Sequence, residues 1–352
     1  MLFDPLKLRS VTLRNRIGVS PMCEYSSEDG FANDWHLVHL GSRAIGGAGL
    51  VMTEATAVEA RGRISPADLG IWKDAHVEAL ARVTRFVRAH GAVAGIQLAH
   101  AGRKGSTAAP WDGGRAVDAN DGGWSPVAPS ASLFDEGYAS PEALSEAGIA
   151  DVITAFADAA TRALAAGFEV LEIHAAHGYL LHEFLSPVAN ARTDRWGGSF
   201  DNRVRLLLKV VEAVRRVWPD ALPVLVRISS TDWLGGDAWD IGASVALAGL
   251  LRAEGVDLVD CSSGGIAPRV RIAAGPGYQT PFAARVRVEA QIATAAVGEI
   301  TSAAQAEHIL RTGQADLVFL ARQLLRDPYW PLHAAKQLGV DVPWPRQYAR
   351  AK

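Results

Sequence analysis

The sequence contains very little cysteine, no long apolar run and no excess of positive charge. Its 352 residues include two cysteines, Cys23 and Cys261, too few for a disulfide scaffold or a four-thiolate iron–sulfur cluster. No stretch of about 18 apolar residues occurs, and the amino-terminal MLFDPLKLRS lacks the apolar run of a signal peptide. The net charge of -3 offers no basic stripe for phosphates. These absences predict a cytoplasmic protein without nucleic-acid or membrane partners.

The sequence also lacks a G-x-G-x-x-G fingerprint after its first predicted strand, which argues against an open dinucleotide-binding sheet. Instead, short apolar runs alternate with longer amphipathic ones, as in repeated β-then-α units. The apolar runs predict strands at 16–20, 49–54, 93–98, 169–174, 223–228, 256–261, 293–297 and 316–320. The amphipathic runs predict helices at 36–45, 75–90, 143–166, 202–217, 243–253, 303–312 and 329–338. This pattern predicts a single (β/α)8 TIM-barrel domain over residues 1–352.

Three connections bear on the site. The long segments 99–141 and 175–200 follow the carboxyl ends of strands, where barrel enzymes build active sites, so we expect them to cap that face. The glycine-rich segment 264–283 is expected to form a loop that lines the pocket mouth. Asp201 stands immediately before the helix at 202–217 and is predicted to cap it.

The segment EIHAAHGYLLHEF holds the most informative polar residues. His174 and His177 leave the fourth predicted strand, and Tyr179 follows two residues later. Two imidazoles can share one substrate oxygen and polarise a carbonyl without a metal, and a nearby phenol can supply a proton. Zinc bound by His174, His177 and His182 is the alternative, although no H-E-x-x-H pattern supports it. Packed structural histidines are a third interpretation.

Several segments, in order along nearly the whole chain, resemble the old yellow enzymes. They are SPMCEYSS, DWHLVHLGSRAIGGAGLVMTEATAVEARGRIS, GIQLAHAGRKGS, the histidine segment EIHAAHGYLLHEFLSPVANARTDRWGGSFDNR, and FLARQLLRDPYW. Cys23 and the short carboxyl terminus resemble the thermophilic-like (xenobiotic reductase) branch. The resemblance implies an FMN-dependent NAD(P)H oxidoreductase that reduces the activated C=C bond of α,β-unsaturated carbonyl compounds. Hydride would pass from flavin N5 in a ping-pong cycle, the two histidines would bind the carbonyl, and Tyr179 would protonate the α-carbon.

The resemblance also implies which residues bind the flavin. Pro21 and Met22 would lie against the isoalloxazine ring, Gln97 would pair with its pyrimidine edge, and Arg227 would lie near N1 and O2. The full implied set is Ser20, Pro21, Met22, Cys23, Ala55, Gln97, Arg227, Gly298, Ala321 and Arg322. Independently of the resemblance, barrel phosphate sites use the loops after strands seven and eight, where Gly298 and Arg322 lie.

Some of these residues have simpler alternatives. Arg227 could form an ion pair at the barrel rim, and Cys23 could be an inert small hydrophobe, as we assume for Cys261. Within the resembled branch, Cys23 would instead touch the flavin and tune its potential. Tyr25 is similar to a substrate-contacting tyrosine, or it is a buried core residue.

The carboxyl-terminal tail, residues 340–352, is unusually aromatic for a solvated end. It could pack on its own barrel. In the resembled branch, however, a closing Q-Y-x-R reaches across a two-fold interface, and Gln347, Tyr348 and Arg350 match that pattern. The resemblance thus implies a homodimer or homotetramer in which Arg350 approaches the partner's substrate pocket.

Other functions remain open from the residues alone. A phosphate-binding barrel lyase or isomerase without flavin could use the same phosphate site. A catalytically silent flavin-binding protein would keep the barrel and FMN. The larger iron–sulfur dienoyl reductases share the barrel but require cysteine ligands that this chain lacks.

Overall fold

A closed barrel of eight parallel strands forms the centre of the computed structural model, which describes all 352 residues. The strands are β1 (Ile17–Val19), β2 (Leu50–Ala57), β3 (Val93–Ala99), β4 (Val170–Ala175), β5 (Val224–Ser229), β6 (Leu258–Ser262), β7 (Ala293–Ala296) and β8 (Leu317–Leu320). Each strand pairs with its neighbours in the sequence, and β8 closes on β1 through the pair Phe319 and Gly18. The predicted (β/α)8 fold is confirmed.

Eight helices follow the eight strands in turn. They are α1 (Asp34–Ile45), α2 (His76–Ala89), α3 (Glu146–Ala165), α4 (Phe200–Val217), α5 (Ile241–Ala253), α6 (Thr280–Glu289), α7 (Ala303–Arg311) and α8 (Trp330–Gln337). None of the helices in the chain is both long enough and apolar enough to cross a membrane.

Two expectations about helices were wrong. The segment 264–283 is not entirely loop, because α6 begins at Thr280. The sequence did not predict the proline-containing start of α6, because glycines precede it. The cap of α4 is Ser199, whose hydroxyl accepts from the Asn202 amide, whereas Asp201 lies within the first turn. An acidic side chain there still interacts favourably with the helix dipole.

An antiparallel hairpin that the sequence did not predict closes the amino-terminal end of the barrel. Its strands, Leu6–Leu8 and Val11–Leu13, pack their apolar side chains against inward-facing residues of the barrel such as Leu50 and Leu258. Burying these side chains stabilises the fold by about 25 cal/mol per Å² of apolar surface removed from water. This amino-terminal end, the floor of the barrel, is therefore apolar and closed.

The barrel interior changes from apolar to polar towards its carboxyl end. On β4, Val170 packs in the apolar cluster, whereas Glu172 and His174, two and four residues later on the same face, are buried polar groups. On β6, Leu258 is likewise followed by Asp260. Polar side chains buried in this way need partners, so this end of the barrel is built for interactions beyond packing.

Candidate active site

His174, His177 and Tyr179 meet at the carboxyl end of β4. The ring centroids of the two histidines lie 5.1 Å apart at an interplanar angle of 87°, and His174 and Tyr179 also lie 5.1 Å apart, at 83°. His174 is buried, and the other two residues are half-buried. His177 adopts a left-handed backbone with φ of 59°, which turns the chain back over the strand end. The structure thus brings the three predicted catalytic residues together.

Each imidazole keeps one nitrogen free of hydrogen bonds within the chain. The Ala176 amide donates to Nδ1 of His174 at 3.2 Å, and the Ser262 hydroxyl lies 2.6 Å from Nε2 of His177. Burial, reinforced by the nearby Arg227 cation, lowers the pKa of both histidines well below the usual value of 6.5. Both rings are therefore neutral. A neutral His174 that accepts at Nδ1 carries its proton on Nε2 and can donate it to a ligand oxygen.

Lys104, which the sequence reasoning missed, fixes the geometry around Tyr179. Its ammonium group donates to the carbonyl oxygen of His177 at 2.8 Å and lies 5.0 Å from the centroid of the Tyr179 ring. Burial raises the pKa of the Tyr179 phenol well above 10, so the phenol keeps its proton. Burial lowers the pKa of Lys104 to about 8. The only sequence signal for Lys104 was its place in GIQLAHAGRKGS.

His182 is held by partners other than the histidine pair. Its Nδ1 accepts from the Gly178 amide at 2.9 Å, and its Nε2 lies 3.0 Å from Oδ1 of the buried Asp232. Both ring nitrogens of His182 therefore face polar partners within the chain. No group of three or more histidine, cysteine, aspartate or glutamate side chains is arranged to hold a metal ion.

A cavity of about 410 Å³ opens between the ends of β5 and β8, and its lining includes Ser262, the hydroxyl partner of His177. Four of the predicted cofactor residues line it: Arg227, Gly298, Ala321 and Arg322. Gly298 has a φ of 118°, and a Cβ there would lie 2.8 Å from Nε2 of Gln279. The backbone conformation and the close approach of Gln279 therefore both require glycine after β7, in a loop where TIM barrels commonly bind phosphate.

Arg227, which lines the cavity, contacts Ser20, and the predicted residues Gln97 and Ala55 lie on neighbouring strands of the barrel. The Arg227 guanidinium is buried, and its Nη1 donates to Oγ of Ser20 at 3.1 Å. Its Nε lies 3.2 Å from Oδ2 of Asp260, so the ion pair considered for Arg227 does exist, but inside the barrel. Gln97 pairs in register with Ala55 on the adjacent strand.

The segment after β1 places four further predicted residues next to this end of the barrel. They are Pro21, Met22, Cys23 and Tyr25, all half-buried. Burial first, and then the carboxylates of Asp68 and Glu54, raise the pKa of the Cys23 thiol well above 9, so the thiol is neutral. The Tyr25 ring packs edge-on against Trp111 at 5.5 Å and is not a core residue.

The outer end of the cavity is cationic. Arg322 and Arg326 both line it, and the Arg322 side chain is 75% exposed, with Nη2 3.9 Å from Oε1 of Glu299. Guanidinium groups in this position match the planar oxygens of a phosphate. Arg322 is therefore available to a ligand and not locked in a strong internal ion pair.

Arg350 is the one predicted site residue that this chain holds away from the others. It lies in the 3-10 turn Arg346–Ala351 and lines a separate surface cavity of about 520 Å³ beside α8. Tyr348 of the same turn packs edge-on against Tyr329, with ring centroids 5.8 Å apart. The tail thus lies along its own α8 within a single chain.

Residues 1–341 match the model of the NADH:flavin oxidoreductase / NADH oxidase family. The chain belongs to this family. An NADPH dehydrogenase from Geobacillus sp. (strain WCH70) is 50% identical over 352 residues, covering 99% of this chain and 98% of that protein. The old yellow enzyme homologue from Zymomonas mobilis superposes with a TM-score of 0.79 at 27% identity, covering 97% of this chain and 94% of that one. Membership in the old yellow enzyme family is confirmed.

One similar structure is much larger. In the complex of 2-naphthoyl-CoA reductase with 2-naphthoyl-CoA, the barrel superposes with a TM-score of 0.86 at 25% identity. The match covers 96% of this chain but 52% of that one, so this flavin oxidoreductase spans about half the length of that reductase.

Family membership confirms the expected FMN cofactor and nicotinamide reductant, and it removes the flavin-free lyase or isomerase from consideration. The residues present fit FMN. The cavity joins the cationic end at Arg322 to the Arg227 guanidinium, whose Nη1 donates to Ser20 and whose Nε faces Asp260, which leaves Nη2 for a ligand. A guanidinium with a terminal donor to spare suits the acceptor edge of a flavin ring.

Proposed function

We propose that this flavin oxidoreductase reduces the activated C=C bond of α,β-unsaturated carbonyl compounds at the expense of NAD(P)H. The observation that carries the proposal is the perpendicular pair of neutral imidazoles, His174 and His177, each with a free nitrogen, beside the protonated phenol of Tyr179. Such a pair binds a carbonyl oxygen, and a phenol held protonated supplies a proton to carbon.

The chain's own residues would act as follows. His174 donates from Nε2 to the carbonyl oxygen, and His177 provides a second contact from its free nitrogen, so that negative charge developing on the oxygen is stabilised in a dry site. Tyr179 delivers its proton to the α-carbon, and Tyr25 contacts the substrate from the opposite loop. FMN, when bound, supplies two-electron chemistry, being reduced by NAD(P)H and reoxidised by the enone in a ping-pong cycle.

The residues proposed to hold FMN are those that surround the cavity and its inner end. Arg322 binds the phosphate with backbone groups near Gly298 and Ala321, and Arg227 supplies a fixed cation where negative charge collects on reduction. Ser20, Pro21, Met22, Cys23, Ala55 and Gln97 complete the set. The name of the Geobacillus relative, an NADPH dehydrogenase, favours NADPH as the reductant.

We also propose that the active form is a symmetric homodimer, or a tetramer of such dimers, in which Arg350 approaches the partner's substrate pocket. The exposed Arg350 and the surface cavity lined by Tyr329, Trp344 and Tyr348 support this assembly.

An anaerobic spectrum tests the function directly. The purified yellow protein is titrated first with NADPH and then with 2-cyclohexenone. We expect NADPH to bleach the flavin band and cyclohexenone to restore it stoichiometrically. A flavin that NADPH does not reduce would indicate a silent flavin-binding protein, and a reduced flavin that cyclohexenone does not reoxidise would refute enone reduction.

A further inference from the structure

Two carboxyl groups are buried inside the barrel directly behind the residues that are proposed to face the flavin. Glu172 on β4 and Asp260 on β6 are both fully buried. Glu172 is the register partner of Gln97, and Asp260 is the register partner of Arg227. Neither carboxyl is among the residues proposed to bind the flavin or the substrate, and burying charge in a barrel core is costly unless the charge is paired and hydrogen-bonded.

Each carboxyl holds one of these neighbours. Nε2 of Gln97 donates to Oε1 of Glu172 at 2.7 Å, so the amide is oriented with its nitrogen towards Glu172. One Nε2 hydrogen and the amide oxygen of Gln97 then remain for a ligand. Asp260 lies 3.2 Å from Arg227 Nε and makes no hydrogen bond with either oxygen.

The cluster contains one cation and two acids. Burial, and then the negative charge of Asp260, raise the pKa of Glu172, and burial raises the pKa of Asp260 against the opposing effect of Arg227. A single proton bound by either carboxyl leaves the cluster close to neutral, since the remaining carboxylate balances the single guanidinium. This carboxylate offsets the field that Arg227 exerts on its surroundings.

We propose that Glu172 and Asp260 are positioning residues for the flavin. Glu172 sets the orientation of the Gln97 amide, and the carboxyl pair limits the net positive charge at Arg227, which holds the reduction potential of the flavin down. The inference rests on the proposed placement of Gln97 and Arg227 against the flavin ring, but not on the identity of the oxidising substrate.

The charge effect is tested by the reduction potential of the holoenzyme, measured against a reference dye without any enone. Either acid can carry the negative charge, so replacing Asp260 alone leaves Glu172 free to ionise in its place. The double variant Glu172→Gln/Asp260→Asn removes both charges and keeps the shapes. We expect its potential to rise by at least about 30 mV, a tenfold shift towards the reduced flavin, and Asp260→Asn alone to give a smaller rise.

Asp257→Asn is the matched control. Asp257 precedes β6 and pairs with Arg9 and Arg215 at the closed end of the barrel. This control also removes a carboxylate that forms an ion pair with arginine, but at the opposite end of the barrel from the proposed flavin site. The reduction potential should therefore stay unchanged. A flavin-loaded double variant with the parent potential would overturn the charge role. If the potential shifts as expected, the charge role stands even if cyclohexenone is not reduced, because the potential is measured without any enone.

The orienting role of Glu172 is tested by FMN affinity. Glu172→Gln keeps an acceptor for the Gln97 amide, whereas Glu172→Met removes it at similar volume. We expect Glu172→Met to bind FMN roughly tenfold more weakly, in line with one lost hydrogen bond to a buried donor, and Glu172→Gln to bind FMN as the parent does. If Glu172→Met retains the parent affinity while its apoprotein stays folded by circular dichroism, the orienting role is wrong.

Discussion

Replacing His174 by alanine should damage the reaction with the enone and spare the reaction with NADPH. His174 is 4% exposed, and its Nδ1 is occupied by the Ala176 amide, so its Nε2 is the only nitrogen that can reach a substrate. Removing one such donor from a developing oxyanion typically costs about 10²–10³ in rate, or roughly 2.7–4 kcal/mol. We therefore expect enone-dependent flavin reoxidation to slow by roughly a hundredfold or more.

Stopped-flow measurement of the two half-reactions separates these effects. His174→Asn, which keeps an amide donor, should recover part of the lost rate, and His308→Ala, an exposed histidine on α7, serves as the control. Because the pKa of His174 lies well below 6.5, phenol binding should show no histidine titration near that pH. Reoxidation of His174→Ala by cyclohexenone at the parent rate would refute the role of this imidazole.

Four further outcomes follow from the structure. Tyr179→Phe should slow the enone half-reaction about a hundredfold, at the lower end for general acid catalysis because water can partly substitute; an unchanged rate would assign the proton to another donor. Arg322→Ala should leave the barrel folded by circular dichroism but largely free of flavin, and full occupancy would contradict the phosphate assignment. Truncation after Val342 should reduce both the size by gel filtration and enone turnover, whereas an unaltered size and rate would make the tail a local cover. Burial, and then the Arg43 cation, lower the pKa of His39 to about 3 although Oε1 of Glu24 lies 3.1 Å from its Nε2, so the unfolded chain binds a proton below about 6.5 that the fold resists. The free energy of unfolding in urea should therefore fall for the parent, relative to His39→Gln, as the pH decreases from roughly 7 to 5. Parallel dependences of this free energy on pH in the two proteins would contradict the linkage.

The repeating pattern of the fold was readable from the sequence because each parallel strand is buried on both faces. All eight strands lie within about three residues of their predicted positions, as the apolar runs required. The hairpin over residues 6–13 was not readable, since its two three-residue strands are too short for any period to emerge. The start of α6 was hidden by the glycines that precede Thr280.

The site was readable in part. His174, His177 and Tyr179 stand close together in the sequence, so one segment revealed them. Lys104, in the turn after β3, and Ser262, at the end of β6, contact His177 from elsewhere in the sequence. The residues next to them in the sequence do not distinguish them from surface residues.

The amino-terminal hairpin has a consequence for biosynthesis. The Leu2 amide donates to Glu307, and the Arg9 side chain binds Asp257, so these residues are held by partners that are synthesised some 250 to 300 residues later. They cannot occupy their final place until most of the chain exists. The amino-terminal segment therefore cannot be fully anchored before Glu307 is synthesised, and the apolar side chains of the hairpin lack later partners such as Leu258 for most of translation.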